Sequence, residues 1–193
     1  SYEKAYSLGW DPEPGRAMLL LERGEVESAL ASLERSLNGQ SWWTLQRQGI
    51  LQAHLAVVAA HADRQEQSQA LIDELGGQLE RWPMASIQAL TNEAAACLAQ
   101  RRGETEEALR RLHLARQLWT GIDSKFHAAR LRLLVSELQF NLNDMNGCAT
   151  ELRIARMAAD QLQSDKLRSA CRLLEARLND FSPKVAARNP DPS

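Results

Sequence analysis

The side chains able to do chemistry are few and scattered. The four histidines are His54, His61, His113 and His127. His54 and His61 are seven apart, two turns along one helix. A zinc pair on a helix wants a spacing of about four. No cysteine or acid completes a ligand set, so no metal is expected. Cys97, Cys148 and Cys171 are far apart and odd in number. They form no disulfide framework, sit in no nucleophile signature, and suit a reducing, cytoplasmic setting. Neither common Gly-rich phosphate loop occurs, and no Gly-x-Ser-x-Gly elbow. Glu106-Glu107 falls at an expected helix start, where two acids favour the helix dipole. No catalytic residue and no cofactor is expected.

Five tryptophans are the least ordinary feature. Trp42-Trp43 stand together at an expected join between two helix pairs. They read either as an aromatic anchor for a partner or as packing that fills uneven space between helices. Trp10, Trp82 and Trp119 each flank a turn and read as packing between hairpins.

The elements that carry these residues are helices. Ala, Leu, Arg, Glu and Gln fill the segments between breaks, and strand-type alternation is absent. Val26, Ala29, Leu33 and Leu37 make one helical stripe. Ala108, Leu112, Ala115 and Trp119 make another, and Cys148, Leu152, Ala155 and Ala159 a third. Asn38-Gly39, Gly76-Gly77 and Gly121 are expected stops, Pro83 a start, and Ser124 and Ser164 N-caps. Helices are expected near 14–23, 26–38, 43–62, 65–80, 84–101, 104–120, 124–142, 145–162 and 164–180, with a short one at 2–8. Residues 1–180 would form the helical domain and 181–193 a linker-like tail with three prolines.

Net charge is -2 with a pI near 6.1, so no basic excess draws the chain to phosphate backbones. The longest apolar runs are far short of the about 20 residues of a membrane span. The chain opens on Ser1, shows no signal peptide, and is expected to be part of a longer protein.

The segments repeat. Gly24-Glu-Val-Glu-Ser-Ala29-Leu-Ala-Ser-Leu33 aligns with Gly103-Glu-Thr-Glu-Glu-Ala108-Leu-Arg-Arg-Leu112. A third copy is Asn143-Asp-Met-Asn-Gly-Cys148-Ala-Thr-Glu-Leu152, and a fainter one starts near Gln65. The anchors Gly24, Gln65, Gly103 and Asn143 lie 41, 38 and 40 residues apart. A small residue in the turn lets two helices reverse closely; the Ala or Cys five later permits close approach. One such hairpin cannot bury both faces, so neighbours must stack.

This pattern resembles the tetratricopeptide repeat, with a longer period than that repeat's usual one of about 34. Leu8-Gly-Trp-Asp-Pro-Glu-Pro-Gly-Arg-Ala-Met-Leu-Leu-Leu-Glu-Arg-Gly24 resembles the start of the repeat region in bacterial LuxR-type transcriptional regulators. So do Phe126-His-Ala-Ala-Arg-Leu-Arg-Leu-Leu134 and the segment Leu142 to Arg156. The resemblance spans roughly residues 5–165. It implies an all-α fold, a right-handed superhelix of stacked antiparallel hairpins. In that superhelix the first helix of each hairpin lines a groove. Mapped so, Gln52, Glu93, Arg101, Arg130 and Glu137 are groove-facing, either clamping a peptide or forming a solvated face, with Arg130 and Glu137 as an ion pair.

The resemblance implies a non-catalytic regulatory domain of a bacterial transcription factor, binding a protein, a peptide or a small-molecule effector. The DNA-binding domain of that family would follow the last residue here, so no direct nucleic-acid contact is expected. The other reading is an interaction scaffold from a signalling protein that also carries a cyclase or kinase. Excision at both ends would expose apolar faces that a homodimer would cover.

Overall fold

The computed structural model describes residues 11–39, 45–77 and 83–186. Among them every regular element is an α-helix. In order these are α1 (Gly15–Glu22), α2 (Val26–Asn38), α3 (Leu45–His61), α4 (Gln65–Gly77), α5 (Ala85–Arg101), α6 (Thr105–Gly121), α7 (Lys125–Asn141), α8 (Met145–Gln161) and α9 (Asp165–Ala186). From α3 onward each helix starts 20 residues after the last. The expected helix at 2–8, and Trp10, Trp42, Trp43 and Trp82, lie outside the described residues.

The constant step comes from one turn used repeatedly. Gly24, Asp63, Gly103, Asp123, Asn143 and Gln163 all have positive φ, between 51° and 78°. After each, the next N–H donates back to the carbonyl five residues earlier. Glu25 reaches Leu20, Arg64 reaches Ala59, Glu104 reaches Ala99, Ser124 reaches Trp119, Asp144 reaches Gln139 and Ser164 reaches Ala159, at 2.9–3.0 Å. This Schellman closure satisfies the carbonyls a helix end leaves open.

Three expectations about the turns are corrected. The second repeat is anchored on Asp63, two residues before Gln65, so the spacings are 39, 40 and 40. Gly121 is still helical, and Asp123 takes the left-handed position. Gly39 ends α2 at φ -93°, outside the left-handed region. Of the two expected serine caps, Ser164 Oγ accepts from the Leu167 N–H at 3.3 Å, while Ser124 makes no cap bond. The last helix also runs past 180 to Ala186, through Pro183 and into the segment expected as linker. Pro183 removes one backbone donor, but Lys184 to Ala186 continue the helix beyond it.

Contacts divide the chain into two compact units, Ser1–Leu118 and Trp119–Ser193, with the boundary in the last turn of α6. In the first unit α1 packs on α2, α2 on α3, α3 on both α4 and α5, and α4 on α5. A core of Ala17, Ala29, Leu30, Leu33, Leu51, Leu55, Val58 and Ala59 joins α1, α2 and α3. In the second unit α7 packs on α8 and on α9, and α8 on α9. Its core is Ala129, Leu133, Leu152, Ala155, Ala159, Leu167, Cys171 and Leu174. The three stripes read from the sequence point into these interiors: all of their residues are buried except Val26 and Leu37, which are half-buried.

Small residues flank four of the turns, seven before and five after the left-handed position. The pairs are Ala17 with Ala29, Ala56 with Ser68, Ala96 with Ala108, and Ser136 with Cys148, all buried. Two of them are tied directly. Ser68 Oγ donates to the Ala56 carbonyl at 2.9 Å, and Ser136 Oγ to the Cys148 carbonyl at 2.8 Å. These four turns close tight hairpins, because small side chains let the backbones approach. At the α8–α9 turn the same positions hold Arg156 and Arg168, both paired with Asp160, at 3.6 and 2.9 Å. That join is held by charge.

Candidate functional site

Three of the groove candidates, Gln52, Arg101 and Glu137, take part in contacts between helices. Arg101, in the last turn of α5, reaches back across one repeat. Its Nη2 donates to the His61 carbonyl at 2.8 Å and its Nη1 to Asp63 Oδ1 at 3.1 Å. It therefore caps the C-terminal end of α3, where a cation meets open carbonyls and the negative dipole end. Glu137 on α7 pairs with Arg177 on α9 at 3.3 Å. The Arg177 guanidinium also lies 5.0 Å from the centre of the Phe140 ring, within cation–π range. Residues 61 and 101, and 137 and 177, are each 40 apart, so the same step is bridged once in each unit.

Gln52 Nε2 donates to Glu74 Oε1 at 3.4 Å, joining α3 to α4. Glu93 on α5 is buried, and Arg130 on α7 is half-buried. Gln52, Glu93 and Arg101 belong to the first unit, Arg130 and Glu137 to the second. Arg130 and Glu137 lie two turns apart on α7 with Leu134 between them, so they share one stripe. Trp42 and Trp43 fall outside the described residues.

Within-hairpin polar pairs recur at a fixed place too. Asn92 Oδ1 accepts from Arg111 Nη1 at 3.3 Å, and Glu151 from Arg132 Nη1 at 2.5 Å. Each pair is 19 residues apart and links a first helix to its second.

The reactive side chains are quiet. Burial pushes the thiols of Cys97, Cys148 and Cys171 above their ordinary value, outweighing Arg101 beside Cys97 and Ser136 beside Cys148. A nucleophilic cysteine needs the opposite shift. Glu107 is half-buried and forked between Arg110 and Arg111, at 2.6–2.7 Å. Those bonds hold its carboxyl down to about 2, leaving it an ionised surface acceptor. His54 Nδ1 lies 2.8 Å from the Ile50 carbonyl of its own helix. Trp119 stacks on His127, ring centres 4.2 Å apart, with Phe126 edge-on to His127 at 5.7 Å.

One polar cluster has no counterpart in the sequence reading. Glu13 is only 5% exposed, yet it is satisfied. Its Oε1 accepts from Ser32 Oγ at 2.5 Å and its Oε2 from the Ala17 N–H at 2.8 Å. Asp11 accepts from Ser36 Oγ and, at 3.0 Å, from the Glu13 N–H. Arg47 Nη2 lies 3.0 Å from Asp11 Oδ2 and 3.1 Å from the Glu13 carbonyl. Burial pushes the Asp11 carboxyl up, but the bonds from Ser36, the Glu13 N–H and Arg47 together hold it below its ordinary value. The only clue in the sequence was a pair of serines, four apart, beside the apolar stripe of α2. The cluster bolts the segment before α1 to α2 and α3.

These contacts hold neighbouring helices in register. No family model, curated protein or solved structure matches the chain.

Proposed function

We propose that this chain is the non-catalytic, partner-binding repeat domain of a bacterial LuxR-type transcriptional regulator. Its hairpins would stack into a right-handed superhelix, with the first helix of each hairpin lining a groove that takes a protein or peptide. The regular step of the fold is the observation that carries this reading. One 40-residue spacing is bridged from His61 to Arg101 and again from Glu137 to Arg177. Equal hairpins stacked one on the next would offer an extended face. Binding a partner there and passing the event to an attached DNA-binding domain is the use that suits such a face. The family assignment rests on the motifs around Trp10 to Gly24 and Phe126 to Arg156.

Two measurements test the reading. Small-angle scattering on the chain should give a radius of gyration clearly above the roughly 16 Å of a compact domain of this length. A value near that figure removes the superhelix. A pull-down with the full-length parent protein should recover a partner whose cross-links fall on the first helices of the hairpins. Cross-links confined to other parts of the parent would remove the binding role.

A further inference from the structure

We infer that the outer face of α9 takes one antiparallel helix from a partner protein, a helix of the same kind as α8. This surface is separate from the proposed groove and stands without it. The helices α3, α5, α7 and α9 start 40 residues apart, so they correspond position by position. Each of the first three is tied to the helix that follows it. Gln52 bonds to Glu74, Asn92 to Arg111 and Arg132 to Glu151. Beside these residues Ala53, Glu93 and Leu133 are buried, and so are Ala56, Ala96 and Ser136 one turn on. The equivalent residues of α9 are Arg172, Leu173 and Ala176, and all three are exposed. Leu133 is 8% exposed and Leu173 71%. An end helix that meets only water carries a polar outer face. Leu173, in the middle of this one, marks a surface suited to being covered.

The turns say where the covering helix comes from. Asp63, Gly103 and Asn143 take the left-handed conformation and reverse the chain after α3, α5 and α7. The next position in that series is Pro183, which lies inside α9, and α9 runs on to Ala186. The chain does not reverse there, so the covering helix belongs to a separate chain.

The contact between α7 and α8 says what that helix carries. Ser136 meets Cys148, Arg132 pairs with Glu151, and Leu133 shares a core with Leu152. Along α8 the order is a small residue, an acid three later and a leucine four later. On α9 the same three places hold Ala176, Arg172 and Leu173. Arg172 donates to Ser169 Oγ at 3.1 Å and meets no carboxylate among the described residues. A partner glutamate at the place of Glu151 gives it one. A second copy of this chain suits the face poorly. Two α9 helices laid antiparallel about Leu173 would set arginine beside arginine where the α7–α8 contact has arginine and glutamate.

The test uses the 193-residue chain and a fluorescent peptide of the α8 sequence, Met145–Gln161 with Cys148→Ser, in about 0.15 M salt. The peptide should bind saturably. Leu173→Glu and Arg172→Glu in the chain should each weaken binding by about tenfold. A peptide that also carries Glu151→Arg should bind the unaltered chain poorly and recover its binding on the Arg172→Glu chain. Met157→Glu, at an exposed position on α8, should change binding by less than about twofold. All three chain substitutions fall on exposed side chains, so the fold should tolerate them. No binding of the peptide, indifference to Leu173→Glu or Arg172→Glu, or a loss that the reversed charges do not rescue overturns the inference. So does a dimer in sedimentation that Leu173→Glu turns into a monomer, which would give this face to a second copy. Binding in the groove is tested separately, by where the partner of the full-length parent cross-links.

Discussion

The two units build the same turn from different residues. In the first unit the left-handed position is held by Gly24, Asp63 and Gly103; in the second it is held by Asp123, Asn143 and Gln163. The closing bond is nevertheless the same in all six. Glycine takes positive φ freely, while a glutamine there costs about 1–2 kcal/mol. The second unit bears that cost because the flanking contacts demand the geometry. The tight hairpin contact also tolerates a change of donor. Ser68 donates from the second helix to the first, and Ser136 from the first helix to the second. What the chain repeats is a spacing of small residues about a reversal, and the chemistry at each position is free to vary.

The largest effect should come from placing a charge at that contact. Ala108 and Cys148 are equivalent, five residues after their turns, and fully buried. Ala108→Glu and Cys148→Glu should each destabilise by roughly 4 kcal/mol or more, since a buried carboxylate without a partner must be desolvated. Urea unfolding measures both. A loss at one site with an unchanged midpoint at the other would break the equivalence of the two hairpins.

Next in size is the buried carboxylate cluster of the first unit. Asp11→Ala should cost about 1.5–3 kcal/mol, the range for hydrogen bonds to a charged group. The pH dependence has a fixed sign. The folded Asp11 value lies below the ordinary 3.8, so its stabilisation is complete above 3.8 and disappears as pH falls through the lowered value. Comparing urea midpoints at about pH 6 and about pH 3, Asp11→Asn should lose less stability on acidification than the unaltered chain. An identical pH response in the two proteins would show that this carboxylate is not held in the ionised form.

The helices were legible because their apolar stripes keep one period, and the stripes through Leu33, Leu112 and Leu152 enter the interiors as read. The 20-residue step was not legible: the helix starts Leu45, Gln65, Ala85, Thr105, Lys125, Met145 and Asp165 share no residue type. The turns were half legible. Gly24, Gly103 and Asn143 announce a left-handed residue, whereas Asp63 and Gln163 are polar residues like many others. Arg101 and Glu137 were read as groove-facing, and their bonds to His61, Asp63 and Arg177 were not legible, because those partners are a repeat away and depend on the stacking. The Asp11–Glu13 cluster escaped because its partners Ser32, Ser36 and Arg47 are brought to it only by packing.

Caps sharpen the comparison at smaller scale. Asp144 accepts from the Gly147 N–H at 2.9 Å, while Ser124 at the preceding start makes no such bond. Asp144→Ala should therefore cost about 1 kcal/mol, and Ser124→Ala only a few tenths. Equal losses would mean that the two helix starts are capped alike in solution.

The smallest effect is the most direct test of the shared turn, because it is reciprocal. Gln163 has φ 51° and Gly103 has φ 77°, and both are followed by the same closing bond. Gln163→Gly relieves the left-handed side chain but adds flexibility to the unfolded chain, so the net gain should be about 0.5–1 kcal/mol. Gly103→Gln should lose a similar amount, and no atom lies within 4 Å of the Cβ it would add. Strain at φ and the flexibility of the unfolded chain both change sign between the two, with strain the larger. If thermal unfolding shows a loss for Gly103→Gln without a gain for Gln163→Gly, the second unit is holding its turn by contacts that glutamine itself makes, and the two turns are alike in shape only.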